Sequence, residues 1–374
     1  MSARTIHSDD QRFMALALAL GRRGLGRTWP NPAVGAVIVR PDFGTPAIVG
    51  RGWTQPGGRP HAEVEAISHA GEAARGATLY VTLEPCSHHG KSPPCADAVI
   101  AAGISRVVSA LEDPNPEVAG AGHARLRAAG IAVEVGLGAH EARRAHAGHI
   151  RRMRDGRPHV TLKLAVSADG KAGAAGRRPI AITGEAVRDR VHLMRAQSDA
   201  IMVGIGTAVA DDPMLTCRLP GMAAYSPVRL VLDGKLRLPP ASRLVQTAKT
   251  TPVWVVAGPQ ASQAAEKRLL AEGVLVFRRE ENGGGFDLPG VLELLAARGI
   301  TRLMLEGGPT LAAAFLAQDL IDEAVLFRST KVVGPAGIEA LHGIPLAALT
   351  QSTQLSRVTS ESLGGDLCEV FERK

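Results

Sequence analysis

The residues best suited to chemistry are His61-Ala62-Glu63, Pro85-Cys86 and Pro94-Cys95. A catalytic zinc ion takes three protein ligands and leaves a fourth position for water, whose pKa it lowers toward 7. His61, Cys86 and Cys95 supply such a set, and two thiolates balance the charge of one Zn²⁺ per chain. Glu63 lies two residues after a ligand, near the start of its helix. It fits a proton shuttle between that water and a leaving amine, as in the zinc deaminases. Both ligand groups fall at expected helix starts, where the positive end of the helix favours thiolate. The deaminase signature has two residues between its cysteines, whereas Ser87 to Pro94 separate these. A structural zinc site is the plainer reading of the same residues, as is a histidine-rich loop in which His88 or His89 replaces a ligand. Neither asks for Glu63.

Further along, Glu306-Gly307-Gly308-Pro309-Thr310 follows an expected strand and opens a helix. Glycines there let backbone N–H groups approach a phosphate, and a helix N-terminus favours an anion. Gly204-Ile205-Gly206-Thr207, followed by Asp211-Asp212-Pro213, is a second turn of this kind. A tight strand-to-helix connection is the commoner explanation of both, and neither carries the full dinucleotide fingerprint.

The elements around these residues alternate. Helical spacing over 9–24 is broken at Pro30-Asn31-Pro32. Strands follow at Ala33–Val39, Ile48–Trp53, Thr78–Leu83 and Arg106–Leu111, with helices at His61–Ala70 and from about Ala96. A helix, a strand and a helix carry the chain to about 150. The stretch Ile-Arg-Arg-Met-Arg-Asp-Gly-Arg-Pro at 150–158 resets the pattern. A second series then runs from strand Val160–Val166 through a helix at 184–197 and strands at 200–203, 228–232 and 252–257. A loop at Asn282 to Gly285 precedes a helix at 289–298, strand Arg302–Glu306, a helix near 310–317 and strand Glu323–Phe327. This is an α/β pattern in two domains, 1–150 and 156–374.

Composition limits the partners. The 374 residues carry a net charge of +7, and only eight of the 43 basic residues are Lys. The arginines are dispersed apart from a cluster at 143–154, and aromatics make up 3%. No nucleic-acid partner is expected from that pattern, while a small anionic substrate suits it. Phe13–Leu20 is too short to span a bilayer and lacks a cleavage site, so no membrane association is expected and a cytoplasmic location is. Four cysteines are no disulfide framework in a chain of this length, and Cys217 and Cys368 read as structural thiols.

His61-Ala62-Glu63 with Thr82-Leu83-Glu84-Pro85-Cys86-Ser87-His88-His89-Gly90-Lys91-Ser92-Pro93-Pro94-Cys95 closely resembles the deaminase half of the bifunctional riboflavin-biosynthesis deaminase–reductase family. The eight-residue spacer is that family's own form. Asn31-Pro32-Ala33-Val34-Gly35 and Asp113-Pro114-Asn115-Pro116 extend the resemblance. It implies a cytidine-deaminase-like three-layer domain in which Asn31 and Lys91 contact a pyrimidine nucleotide. The family's usual His seven residues before the zinc His is here Thr54.

The second half resembles the reductase of the same family at Val160–Ala165, Leu193–Gln197, Gly204–Pro213 and Glu306–Leu311. That implies a dihydrofolate-reductase-like fold using NADPH. Ala165, Thr207, Asp211 and the turn Gly308, Pro309, Thr310, Leu311, Ala312, Ala313 and Ala314 would line the cofactor. Arg195, Leu215, Arg218 and Glu306 would hold the ribosylamino substrate, and Lys163 would orient or activate the sugar. The Ser and Trp usual before an Ile-Thr pair are replaced by Pro179 and Ala181. The resemblance also implies a homo-oligomer.

Overall fold

The computed structural model describes residues 3–42, 45–88, 93–116, 118–177, 180–282 and 285–374. The chain divides into two compact units, Met1–Gly156 and Arg157–Lys374.

The N-terminal unit runs α1 (Ala3–Gly21), β1 (Gly35–Asp42), β2 (Thr45–Trp53), α2 (Ala62–Ala70), β3 (Thr78–Val81), α3 (Cys95–Ala101), β4 (Arg106–Ser109), α4 (Ala121–Ala128), β5 (Ala132–Val135), α5 (Ala139–Ala145) and α6 (Ala147–Asp155). Its sheet has the order β2-β1-β3-β4-β5. β1 pairs antiparallel with β2 and β3, and β3, β4 and β5 are parallel. Successive strand side chains point to opposite faces, yet Ala36, Val37, Ile38 and Val39 are all buried. Both faces of β1 are therefore covered. α2, α3 and α4 pack in series, and α1 packs against β1, β3 and α5, which makes three layers.

Two glycines set the position of α2. A Cβ on Gly50 would stand 2.2 Å from the Ala66 carbonyl, and one on Gly52 would stand 2.3 Å from that of Ala62. Without side chains there, the helix backbone rests directly on β2. β3 and β4 end two residues earlier than the apolar runs suggest. Past Val81 and Ser109 the chain leaves the ladder: Thr82 N–H donates to Gly35 O, and Glu84 N–H donates to Leu111 O at 2.9 Å. The C-terminal ends of these strands open into the loops that carry the site.

The C-terminal unit begins with β6 (His159–Val166), β7 (Lys171–Gly173), α7 (Glu185–Ala196), β8 (Ala200–Gly204), α8 (Ile205–Asp211) and β9 (Val228–Leu232). It continues with α9 (Arg243–Gln246), β10 (Val253–Ala257), α10 (Gln263–Ala271), β11 (Leu275–Arg278), β12 (Glu281–Asn282), β13 (Gly285–Phe286) and α11 (Leu288–Ala297). It closes with β14 (Arg302–Leu305), α12 (Pro309–Ala317), β15 (Glu323–Arg328), β16 (Ile338–Glu339), α13 (Ala347–Thr350), β17 (Leu355–Leu363) and β18 (Asp366–Arg373). Nine strands form one sheet in the order β11-β10-β9-β8-β14-β6-β15-β18-β17. It is parallel from β11 to β15, and the last two strands are antiparallel. β9 and β10 are buried along their whole length, as expected for parallel strands covered on both faces.

Asn282 and Gly285, expected in a loop, pair with one another at the end of the β12–β13 hairpin. The Gly204–Pro213 stretch contains a true helix, α8, rather than only a turn. Among the described residues no helix is long and apolar enough to cross a membrane.

Candidate functional site

His61 is the N-cap of α2 and Cys95 is the first residue of α3. Cys86 sits in the loop between β3 and α3. Their donor atoms converge. His61 Nδ1 is 3.2 Å from Cys95 Sγ and 3.7 Å from Cys86 Sγ. The Cys95 N–H donates to Cys86 Sγ at 3.3 Å. The three ligand atoms all lie within 4.8 Å of one another, close enough to share one metal ion. His88 is exposed and outside this cluster. His89 and Lys91 lie outside the described residues.

The charges suit such a site. Hydrogen bonding from Cys95, against burial, and then from His61 holds the Cys86 thiol at about 4. Cys95, as the donor to that thiolate, is pushed up. Soft thiolates with an imidazole are the donor set zinc prefers. Glu63 lies in the first turn of α2, 3% exposed. Burial raises its carboxyl to about 7, against the opposing pull of His61.

Asn31 and Thr54 brace the rim. The Asn31 side-chain amide donates to Gly58 O at 2.8 Å, and the Thr54 hydroxyl accepts the Val34 N–H at 3.0 Å. Thr54 is buried and ties the Asn31 loop to the end of β2, so the residue standing in place of the expected His is structural here.

One residue the sequence reading passed over is Glu84. Its buried carboxylate accepts four backbone N–H groups, from Asp113, Gly120, Gly122 and His123. Its only sequence signal is an acid placed directly before a Pro-Cys pair.

In the C-terminal unit a second candidate site gathers Glu306 just past β14, Lys163 on the adjacent strand β6 and Arg195 on α7. The Arg195 guanidinium meets Glu306 in a two-pronged pair at 2.9 and 2.8 Å and also donates to Thr216 O at 3.1 Å. Lys163 Nζ lies 3.8 Å from the same carboxylate. Burial alone would raise the Glu306 carboxyl; the Arg195 and Lys163 cations outweigh it and hold it below the usual range. Arg195 is thus engaged within the protein. Arg218 is exposed, and its pKa is lowered first by partial burial and then by the nearby Arg195 and Arg243.

Thr207 and Gly308 come together: the Gly308 N–H donates to Thr207 Oγ1 at 3.1 Å. The starts of α8 and α12 are therefore neighbours. Asp211 ends α8 and is exposed, and Ala165 lies near the end of β6, half-buried. Within the Gly308–Ala314 segment, Ala312 and Ala313 turn into the core, so its first turn is the part that faces outward. Leu215 has φ +53° and a buried side chain. The Lys331 ammonium holds the Ala181 carbonyl at 2.7 Å; Pro179 lies outside the described residues. His192 was not anticipated. Its Nδ1 lies 3.1 Å from Thr216 O and 3.3 Å from the Arg218 nitrogen, so it sits behind the segment carrying Leu215 and Arg218.

A deaminase-type ligand cluster in one unit and a charged cluster by the parallel strands of the other mark an α/β enzyme with a candidate site in each unit. Residues 7–111 match the family model for the cytidine and deoxycytidylate deaminase zinc-binding region, and residues 158–368 match the RibD C-terminal domain. The riboflavin biosynthesis protein RibD of Escherichia coli (strain K12) is 41% identical, over 96% of this chain and 98% of that protein. Among solved structures, Acinetobacter baumannii RibD is 35% identical with a TM-score of 0.86, covering 98% of this chain and 99% of that one. The diaminohydroxyphosphoribosylaminopyrimidine deaminase/5-amino-6-(5-phosphoribosylamino)uracil reductase of Thermotoga maritima is 34% identical with a TM-score of 0.84 and the same coverage. The chain belongs to the RibD family of riboflavin biosynthesis proteins, bifunctional enzymes with a cytidine-deaminase-like domain followed by a dihydrofolate-reductase-like domain.

Proposed function

We propose that the two units act in turn on one pyrimidine nucleotide. The N-terminal unit hydrolyses an exocyclic amine of 2,5-diamino-6-ribosylamino-4(3H)-pyrimidinone 5′-phosphate, exchanging C–NH₂ for C=O with water consumed and ammonia released. The C-terminal unit then reduces the ribosyl side chain to ribityl with NADPH. The observation that carries this reading is the convergence of His61 Nδ1, Cys86 Sγ and Cys95 Sγ beside the buried Glu63. The activities named for the Thermotoga maritima relative supply the substrate class.

His61, Cys86 and Cys95 would hold one zinc ion, leaving a position for water. When bound, zinc supplies the Lewis acidity that makes water a nucleophile near neutral pH. Glu63 takes a proton from the attacking water and returns one to the departing amine. Its burial excludes bulk water from that exchange. Asn31 and Lys91 contact the nucleotide.

When bound, NADPH would supply the hydride for the second step, in which C1′ gains a hydrogen as its bond to the ring oxygen opens, that oxygen takes a proton and NADP⁺ is left. The neighbouring starts of α8 and α12 would favour its phosphates by the positive ends of the helices. Ala165, Thr207, Asp211 and the outward-facing first turn of the Gly308–Ala314 segment would line it. Glu306, fixed by Arg195, and Lys163 beside it orient the ribosyl group. The exposed Arg218 takes the 5′-phosphate, reinforced by the neighbouring Arg188 and Arg243 charges. A guanidinium meets a phosphate with paired hydrogen bonds.

Incubation with that nucleotide and NADPH, following ammonia and NADPH absorbance together, tests the reading. Glu63→Ala is expected to lower ammonia release by about 100-fold or more, with zinc content and reduction of the already deaminated nucleotide unchanged. Undiminished ammonia release would overturn the role of Glu63, and NADPH consumption indifferent to the deaminated nucleotide would overturn the second step.

A further inference from the structure

We propose that Glu84 is a positioning residue for the metal centre: its buried carboxylate locks the Cys86 loop to the turn at Asp113 and to the start of α4, and so governs how firmly the metal is retained. The inference rests on the reading of Cys86 as a ligand.

Cys86 is the one proposed ligand that neither caps nor opens a helix, and a loop left to itself is the most mobile kind of support. Glu84 stands two residues before it with a fully buried side chain. Its Oε2 accepts the N–H groups of Asp113 and Gly120, each at 3.0 Å. Its Oε1 accepts those of Gly122 at 2.8 Å and His123 at 3.1 Å. An ionised carboxylate offers about four acceptor positions, and these four donors fill them. A buried charge is tolerable only with such hydrogen bonding. The four donors come from 29 to 39 residues further along the chain. One side chain therefore joins the ligand loop to two segments distant from it in sequence.

The backbone shows the same tight join. A Cβ on Gly122 would stand 2.0 Å from the carbonyl oxygen of Pro85, the residue that precedes Cys86. On its other side Cys86 is held by α3: its carbonyl accepts the Ala96 N–H at 3.1 Å, and its sulfur accepts the Cys95 N–H. Cys86 is thus gripped between the starts of α3 and α4. Glu84, Glu112 and His123 also lie close enough to share a cation, but the four N–H groups already occupy the Glu84 oxygens. The carboxylate serves the loop rather than a second metal.

Partners outside the ligand shell commonly change metal affinity by about 10–100-fold when removed. The test is the rate at which the full-length holoenzyme surrenders zinc to a chromogenic chelator, well below its melting temperature. Glu84→Gln keeps the side-chain shape but turns an amide N–H₂ toward two backbone donors; it is expected to release zinc at least about tenfold faster than the unmodified protein. Gly122→Ala, which leaves the carboxylate in place and presses on Pro85, is expected to change the rate in the same direction. In the cobalt-substituted protein, the thiolate-to-metal absorption of Glu84→Gln is expected to weaken as Cys86 is displaced. If Glu84→Gln does not fold, Glu84→Asp, with the charge drawn back by one methylene, is measured in its place. A lower melting temperature with unchanged release and unchanged absorption would make Glu84 a stability residue only and overturn the proposal. Failure of the unmodified protein to retain zinc, or retention of zinc by His61→Ala, would instead overturn the ligand reading and this inference with it.

Discussion

Arg229 is fully buried in β9, and its guanidinium is given over to oxygen atoms of the main chain and one hydroxyl. It donates to Met214 O at 3.3 Å, to Thr247 Oγ1 at 2.7 Å, to Thr247 O at 3.1 Å and to Thr251 O. Burial pushes its pKa down to about 10, so it remains charged at neutral pH. The Met214 carbonyl opens the segment that continues through Leu215 to Arg218. Arg195 donates to the Thr216 carbonyl of the same segment, and His192 Nδ1 lies against it. Arg229→Met, which strips donors from buried carbonyls, is expected to cost about 3 kcal/mol of unfolding free energy. It should also raise KM for the deaminated nucleotide several-fold, with a smaller change in kcat. Denaturant unfolding and steady-state kinetics of the reductase step check both. Nothing in the sequence singles out Arg229, which reads as one basic residue in the run Val-Arg-Leu-Val-Leu. His61, Cys86 and Cys95 could be read because few residue types bind zinc and their spacing is restrictive. Glu84 could not, because its partners are main-chain groups brought to it by the fold, and any residue type can supply an N–H.

Among the elements, β6 shows how a strand start is secured. Asp322, buried just ahead of β15, accepts two bonds from Arg157 at 2.7 and 2.8 Å and one from the Val160 N–H at 2.9 Å. Arg373, at the end of β18, stands 3.4 Å from the same carboxylate. Burial would raise the Asp322 carboxyl, but Arg157 and neighbouring positive charges outweigh it and lower its pKa. A carboxyl depressed in the folded state stabilises fully above its unfolded pKa, near 4, and loses that contribution as pH falls through the folded value. Acid unfolding of the C-terminal unit is therefore expected to steepen below about pH 4. In Asp322→Asn that part of the acid limb should flatten, as followed by circular dichroism against pH. The buried strands of this unit were legible as continuous apolar runs. β17 was not, because it lies at the sheet edge with residues 357–362 all exposed, which leaves no alternation to read. α8 was hidden for a different reason: its glycines read equally well as a turn.

At the scale of the whole molecule, each unit has its own apolar core, one built on β1, β3 and β4 and the other on β8, β9 and β10. The α/β class was visible in the alternation of strands and helices, whereas the assignment of two activities came from short motifs rather than from the pattern. Separately produced 1–156 and 157–374 fragments are each expected to fold, and the larger to reduce the deaminated nucleotide unaided. Circular dichroism and NADPH oxidation by the fragments check this; an unfolded larger fragment would show that its core depends on the first unit.

Asp322 also brings Arg157, the first residue of the C-terminal unit, and Arg373, the last but one, to a single carboxylate. The sheet thus receives and releases the chain at one spot. A module whose entrance and exit coincide can be grafted onto another protein, or relieved of it, through one short junction, with no strand of its own having to be rethreaded.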